Sequence, residues 1–239
     1  MSLKQFHNIH HGKRAFIAAT GPSLRVEDLE LLKDEITLSC NKVYLSFEKT
    51  LWRPDFYSVI DRLVAEGSAE KVAKVDSVKI FSSVIKPYIA EDNDIFWLND
   101  LPSPTVDGKR ESRFSCDISQ GTYGGHTVVY TLMQIAYYIG IKELFLIGLD
   151  FNFENSKETG EKTSANEKIL VQDKEVNHFH PDYRKPGEKW TVPRLDIMYD
   201  AFACARDAFE KDGRKIYNAS RFTKLDVFPL VNLDDVLKK

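Results

Sequence analysis

Short apolar runs alternate with amphipathic stretches along most of this chain, and the alternation predicts the order of its elements. Apolar runs of strand length cover residues 14–19, 35–40, 56–60, 78–84, 94–98, 142–148 and 215–218. Helices are predicted over 26–32, 62–74, 127–139, from Pro193 to about Lys211, and close to the C-terminus. Strands that alternate with helices in this way predict a Rossmann-like, open and mostly parallel α/β sheet with helices on both faces.

Two glycine-bearing turns stand between predicted strands and helices. The turn Gly21-Pro22-Ser23 follows the first strand, and Ser23 is expected to cap the next helix. The second turn contains Gly121 and Thr122 and precedes the apolar helix 127–139. Because turn amides and helix N-termini attract anions, Thr20 and the first turn are expected to bind a phosphate, with an ordinary turn as the alternative. Neither a dinucleotide fingerprint nor a P-loop lysine is present.

Polar side chains follow several predicted strands, at the ends where open α/β sheets bind ligands. Asn41 follows the second strand, Asp61 the third, and Asp150 and Asn152 follow the strand 142–148. Asn41 is alternatively the cap of a strand, and Asp61 the N-cap of a helix. Asp150 must find donors or a cation, because an unpaired buried carboxylate is costly. These residues predict one ligand site at a single edge of the sheet.

Residues 152–190 are rich in charge and poor in apolar side chains, which predicts a long excursion from the sheet that acts as a lid or acceptor-binding loop. It contains His178, His180 and Tyr183. Two histidines on one turn rarely supply enough metal ligands, so no metal site is predicted. A histidine that titrates near neutral pH suits the role of a general base, and a solvated loop with incidental histidines is the alternative.

Composition narrows the class of protein. With 239 residues, 43% of them hydrophobic, the chain is expected to form one α/β nucleotide-binding domain over 1–239. A net charge of -3 gives no electrostatic footprint for nucleic acid. Three dispersed cysteines and the absence of an apolar stretch of about 20 residues or of a signal core favour a cytoplasmic protein. Peripheral membrane attachment stays open, and Trp97, Tyr137 and Tyr138 are candidates for a homo-oligomer interface.

Several motifs together carry a family resemblance. Gly21-Pro22-Ser23-Leu24, Cys40-Asn41, Gly121 with its helix, 142–151 and 215–218 occur in an order that resembles the bacterial 6-hydroxymethylpterin pyrophosphokinase-like family of unknown function. The same series is similar to the bacterial lipooligosaccharide sialyltransferases. The resemblance implies that the first turn and Asn41 hold the nucleotide of a CMP-sugar, with Gly121 and Thr122 nearby.

The resemblance to the sialyltransferases also implies roles in catalysis. A histidine, here His178 or His180, would deprotonate the acceptor hydroxyl, and Tyr183 would help the phosphate to leave. The sialyltransferases have an asparagine in the glycine turn where this chain has Thr20. They work without a metal, so the resemblance implies a nucleotide donor and no resident cofactor.

Three functions stay open at this stage. The first is a glycosyltransferase of bacterial surface polysaccharide synthesis that uses a nucleotide sugar, of the CMP type by preference, and a glycan or small-molecule acceptor. The second is an ATP-dependent 6-hydroxymethylpterin diphosphokinase-like enzyme, for which Asp61 and Asp150 would hold Mg²⁺. The third is a binding protein for nucleotides or glycan precursors without catalytic activity.

Overall fold

A computed structural model describes residues 2–90, 94–154, 157–162 and 168–238 of the chain. The strands are β1 (Arg14–Ala18), β2 (Ile36–Cys40), β3 (Phe56–Ser58), β4 (Val78–Ser82), β5 (Ile95–Leu98), β6 (Asp100–Leu101), β7 (Thr105–Val106), β8 (Lys109–Arg110), β9 (Thr122–Tyr123), β10 (Glu143–Ile147), β11 (Lys157–Lys162), β12 (Lys168–Val171), β13 (Trp190–Thr191) and β14 (Lys215–Asn218). The α-helices are α1 (Val26–Leu31), α2 (Arg62–Ala73), α3 (Val128–Tyr138), α4 (Leu195–Lys211) and α5 (Leu233–Leu237). Short 3₁₀ helices occupy Leu3–Phe6, Asn41–Ser46 and Ser83–Tyr88.

The central sheet has seven strands in the order β14-β10-β1-β2-β3-β4-β5, and all of its neighbours are parallel. From β1 the chain builds the sheet outward to β5 and then returns to add β10 and β14 on the other side of β1. The strand order therefore reverses between β1 and β10. Such a switch point opens a crevice at the carboxyl ends of the strands, where ligands bind in open α/β sheets.

The sheet is covered on both faces because its strands are apolar on both sides. On one face Ile17 and Leu146 pack in a core with the buried residues of α3 and α4. On the other face Phe16, Phe145 and Tyr217 stack across three strands in register, with ring centroids 5.2 and 5.1 Å apart. The prediction of a mostly parallel α/β sheet with helices on both faces is confirmed.

Some element boundaries differ from the sequence prediction for physical reasons. The N-cap of α1 is Arg25 and not Ser23, because the Ser23 side chain bonds to Asp150. Helix α4 begins at Leu195, two residues after Pro193. The excursion 152–190 contains β11 and β12, which with β13 form an antiparallel three-stranded sheet. Within the described ranges, no helix has the length and apolarity to cross a membrane.

Candidate functional site

A cavity of about 370 Å³ lies at the switch point of the central sheet. Its floor comes from the carboxyl ends of β1, β2, β3 and β10, and the start of α3 forms one wall. Residues of 172–193, named the covering segment below, close it from the far side together with Met198. Eight residues that the sequence predicts for the site line this cavity: Thr20, Gly21, Pro22, Asn41, Asp61, Asp150, Asn152 and His178.

The glycine turn after β1 is bonded to the loop after β10. The amide of Gly21 donates to the carbonyl of Gly148 at 2.9 Å, and the amide of Ser23 donates to Asp150 Oδ2 at 2.7 Å. A Cβ atom on Gly21 would lie 2.5 Å from the carbonyl oxygen of Gly148, so only glycine fits there. These two amides were expected to face a phosphate; they donate within the protein instead.

Asp150 has the donors that its burial requires. Its carboxylate accepts from the backbone N–H of Ser23 and, through Oδ1, from the Ser23 hydroxyl. Burial raises the pKa of Asp150, and the two bonds from Ser23 oppose that rise. Ser23 itself does not line the cavity; its role is to fix the carboxylate that does.

Asn41 and Asp61 present different chemistry to the cavity. Asn41 adopts φ +49° at the end of β2, and its carbonyl accepts from the Tyr57 hydroxyl. Its side-chain Oδ1 is buried without a hydrogen-bond partner among the described residues, so a ligand N–H or O–H would satisfy it. Asp61 caps α2, since its Oδ1 accepts from the amide of Leu63 at 2.7 Å. The N-cap interpretation of Asp61 is therefore confirmed.

His178 lines the cavity next to a buried carboxylate. Its Nδ1 lies 3.1 Å from Glu175 Oε1, and its ring stacks on Tyr183 with centroids 3.6 Å apart. The His178 side chain is 11% exposed and that of Glu175 is fully buried. Such a pairing fixes the Nδ1–H tautomer and leaves Nε2 as a proton acceptor.

Charge and burial set the protonation of this pair. Burial lowers the pKa of His178 to about 4, with Arg184 adding to the effect and Glu175 opposing it, so the ring is neutral at pH 7. Burial pushes the pKa of Glu175 upward, but His178 and Arg184 outweigh it and hold the pKa at about 2. The result is an ionised carboxylate that orients a neutral imidazole.

Tyr183 and Lys42 attach the covering segment to the sheet. The Tyr183 hydroxyl lies 3.1 Å from Thr20 Oγ1, and the amide of Phe179 donates to the Thr20 carbonyl at 3.0 Å. Lys42 Nζ, at the end of β2, donates to the Tyr183 carbonyl at 2.8 Å and to Glu188 Oε1 at 2.5 Å. Burial raises the pKa of Tyr183, so its hydroxyl stays protonated. These contacts place the covering segment over the glycine turn.

Five predicted residues lie outside the cavity lining: Ser23, Gly121, Thr122, His180 and Tyr183. Gly121 and Thr122 belong to the β6–β9 pairing, where a Cβ atom on Gly121 would lie 2.5 Å from the carbonyl of Asn99. His180 Nδ1 accepts from the amide of Asp182 at 3.2 Å. Glu175 and Arg184 were not predicted from sequence, because in a charged excursion they resemble solvated residues. Lys42, just after β2, was not predicted either. The spacing Glu175-x-x-His178 was the signal that was available for the pair.

Comparison with solved structures shows the fold. The MAf glycosyltransferase from Magnetospirillum magneticum AMB-1 matches with a TM-score of 0.55 and 14% identity over 95% of this chain. This chain covers only 35% of that protein's length. The sialyltransferase CstII from Campylobacter jejuni, in complex with the substrate analogue CMP-3FNeuAc, matches with a TM-score of 0.45 and 13% identity, covering 92% of this chain and 87% of that one.

Sequence comparison shows the family. No curated protein matches this chain. The sequence profile of the 6-hydroxymethylpterin diphosphokinase MptE-like family matches residues 1–156, which hold β1 to β10 and most of the cavity floor. The family resemblance noted from the motifs is thereby confirmed, and the chain belongs to the 6-hydroxymethylpterin diphosphokinase MptE-like family.

Proposed function

We propose that this protein is a glycosyltransferase that takes a sugar from a nucleotide donor of the CMP type, in the synthesis of bacterial surface polysaccharide. The observation that carries the proposal is the Glu175–His178 pair, which brings a neutral imidazole to the cavity at the switch point. A neutral histidine with an oriented Nδ1–H activates a hydroxyl by accepting its proton. The nucleotide would lie against Gly21, Pro22 and Asn41, at the carboxyl ends of β1 and β2.

The reaction needs one proton acceptor and one leaving group. The acceptor oxygen forms a bond to the anomeric carbon of the donor sugar, and its proton passes to His178 Nε2. The bond from the anomeric carbon to the phosphate oxygen breaks, and its electron pair leaves with the nucleotide. Glu175 stabilises the imidazolium that forms, because its carboxylate lies 3.1 Å from Nδ1.

The family match favours a second candidate, an ATP-dependent diphosphokinase. The match ends at residue 156, before the covering segment that holds Glu175 and His178. A diphosphokinase would need Mg²⁺, for which Asp61 and Asp150, the aspartates that line the cavity, are the candidate ligands, and both already accept hydrogen bonds within the protein. Both oxygens of Asp150 accept from Ser23, and Asp61 caps α2. The described residues contain no cluster of three or more His, Cys, Asp or Glu side chains fit to hold a metal.

The test compares two neighbouring histidines. CMP release from CMP-N-acetylneuraminate, with water as acceptor, is measured for the parent protein, His178→Gln and His180→Gln. We expect His178→Gln to lower the rate by about 10²–10⁴-fold, as loss of a general base does. His180→Gln is the control, because His180 does not line the cavity.

A second arm offers ATP and 6-hydroxymethylpterin with and without Mg²⁺. CMP release that depends on His178 and persists in EDTA supports the glycosyltransferase. Diphosphate transfer that requires Mg²⁺, together with no CMP release, would replace it with the diphosphokinase. Equal loss of rate in both histidine variants would remove His178 from the role of base.

A further inference from the structure

Arg184 places a buried positive charge on the cavity. Among the described residues that line the cavity, Arg184 is the one arginine or lysine, and its side chain is 13% exposed. Its Nη1 is buried without a hydrogen-bond partner, and the nearest carboxylate oxygen, Glu175 Oε2, is 3.8 Å away. At that distance the guanidinium and the carboxylate form an ion pair but no hydrogen bond. A guanidinium with an unsatisfied buried N–H has the capacity to bind an acceptor group.

Trp190 also lines the cavity and carries a second N–H donor. It is 5% exposed, and its Nε1 has no hydrogen-bond partner among the residues described. The guanidinium of Arg184 lies over the Trp190 ring, 4.0 Å from its centroid. This stacking holds the two side chains against each other, and β13, which contains Trp190, pairs antiparallel with β12.

The amides of the glycine turn already donate hydrogen bonds within the protein. The amides of Gly21 and Ser23, which the sequence suggested for an anion, donate to Gly148 and Asp150. The carboxylates of Asp61 and Asp150 are compensated by the start of α2 and by Ser23. The covering segment adds N–H donors that these two turn amides do not offer to an anionic ligand.

We propose that the Arg184 guanidinium and the indole N–H of Trp190 form an oxyanion subsite of the cavity. Its ligand is a phosphoryl or carboxylate group, for which a planar guanidinium and a second N–H donor are suited. The subsite deepens the proposed function, on which the identity of the ligand rests: it would hold either the donor phosphate, whose charge grows as it leaves, or the carboxylate of an acidic sugar.

The experiment measures how much an anionic group adds to affinity. Binding of CMP and cytidine is measured by calorimetry for the parent protein, Arg184→Gln, Trp190→Phe and the control Arg206→Gln, whose arginine lies on α4 outside the cavity lining. We expect Arg184→Gln to weaken CMP binding about tenfold or more, as loss of a charge-assisted bond does, with cytidine unchanged. Trp190→Phe keeps an aromatic ring but removes the indole N–H, and it should weaken CMP binding roughly fivefold.

Two further arms separate the sources of the anion and the two proposals. If the subsite binds the sugar carboxylate, the same variants abolish the preference for N-acetylneuraminate over its methyl ester. Their affinity for CMP then stays that of the parent protein. If CMP does not bind but ADP binds better than adenosine through Arg184, the glycosyltransferase proposal fails and the subsite stands. If the variants weaken charged and neutral probes equally, or no anionic probe binds, the subsite is overturned. Trp190→Phe carries the test should Arg184→Gln not fold.

Discussion

The carboxylate of Asp150 accepts hydrogen bonds from both the backbone N–H and the hydroxyl of Ser23. These two residues are 127 positions apart, and their contact joins the loop after β10 to the turn after β1 across the switch point. Gly21 strengthens the same junction, because its amide donates to the carbonyl of Gly148. Contacts within the protein thus hold the floor of the cavity together.

Removal of the Ser23 hydroxyl should destabilise this junction. In Ser23→Ala, Oδ1 of Asp150 loses its donor in a buried position, which we expect to lower the free energy of unfolding by about 1–3 kcal/mol. Ser58→Ala is the matched control, because the Ser58 hydroxyl is buried without a partner in the described structure. Urea denaturation measures the free energy of unfolding of both variants. An equal effect of the two substitutions would show that the Ser23–Asp150 bond adds no stability.

A methyl group at position 21 should be poorly tolerated. In Gly21→Ala the new Cβ would lie 2.5 Å from the Gly148 carbonyl and 2.8 Å from Asp150 Oδ2, so the two loops must separate. We expect a loss of about 1–3 kcal/mol in the free energy of unfolding, together with weaker nucleotide binding. Gly67→Ala in α2 meets no atom within 4 Å and should be neutral or stabilising. A stable, nucleotide-binding Gly21→Ala variant would contradict this account of the turn.

The fold was predictable because its signals are local and repeated. The continuous apolar run of β10 and the helical spacing of α3 identify a buried strand and helix without tertiary information. The alternation of such elements then defines the parallel sheet and the edge where ligands bind. Asn41 and Asp150 line the cavity because they directly follow predicted strands.

The covering segment was not predictable in the same way. Glu175 and Arg184 are polar residues in a charged stretch, and only the tertiary structure buries them. The same applies to the amides of the glycine turn, whose partner, Gly148, is more than a hundred residues away. A local pattern shows which donors exist; long-range contacts decide which of them remain for a ligand.

The Glu175–His178 pair should make stability depend on pH. Burial lowers the pKa of His178 from 6.5 to about 4, so between these values the unfolded chain binds a proton that the folded chain does not. The free energy of unfolding therefore falls as the pH drops from 6.5 to 4, by on the order of 3 kcal/mol. Glu175, whose pKa is held at about 2 instead of 4.5, continues the loss at lower pH.

Urea denaturation between pH 4 and pH 7 measures this dependence. His178→Phe retains a ring to stack on Tyr183 and removes the titrating group, so its stability should change less over the range. His180→Gln should follow the parent protein. An unchanged slope in His178→Phe would mean that another group causes the pH dependence.

Tyr183 offers a test between a catalytic and a structural hydroxyl. Its OH lies 3.1 Å from Thr20 Oγ1, and Tyr183 does not line the cavity. We expect Tyr183→Phe to keep the stacking on His178, to lose about 0.5–1.5 kcal/mol of unfolding free energy and to release CMP at the parent rate. If the hydroxyl instead assists the leaving phosphate, the variant should lose much of its rate at little cost in stability.

A double-mutant cycle with Thr20→Val decides between the two roles. If the two hydroxyls form a hydrogen bond with each other, the double variant is about as unstable as either single variant, because each single substitution already removes that bond. If Tyr183 acts on the phosphate, the Tyr183→Phe rate falls even where Thr20→Val is silent. If Tyr183 serves to attach the covering segment to the glycine turn, its effect on the free energy of unfolding should be coupled to that of Thr20. The rate of CMP release by Tyr183→Phe should then equal that of the parent protein.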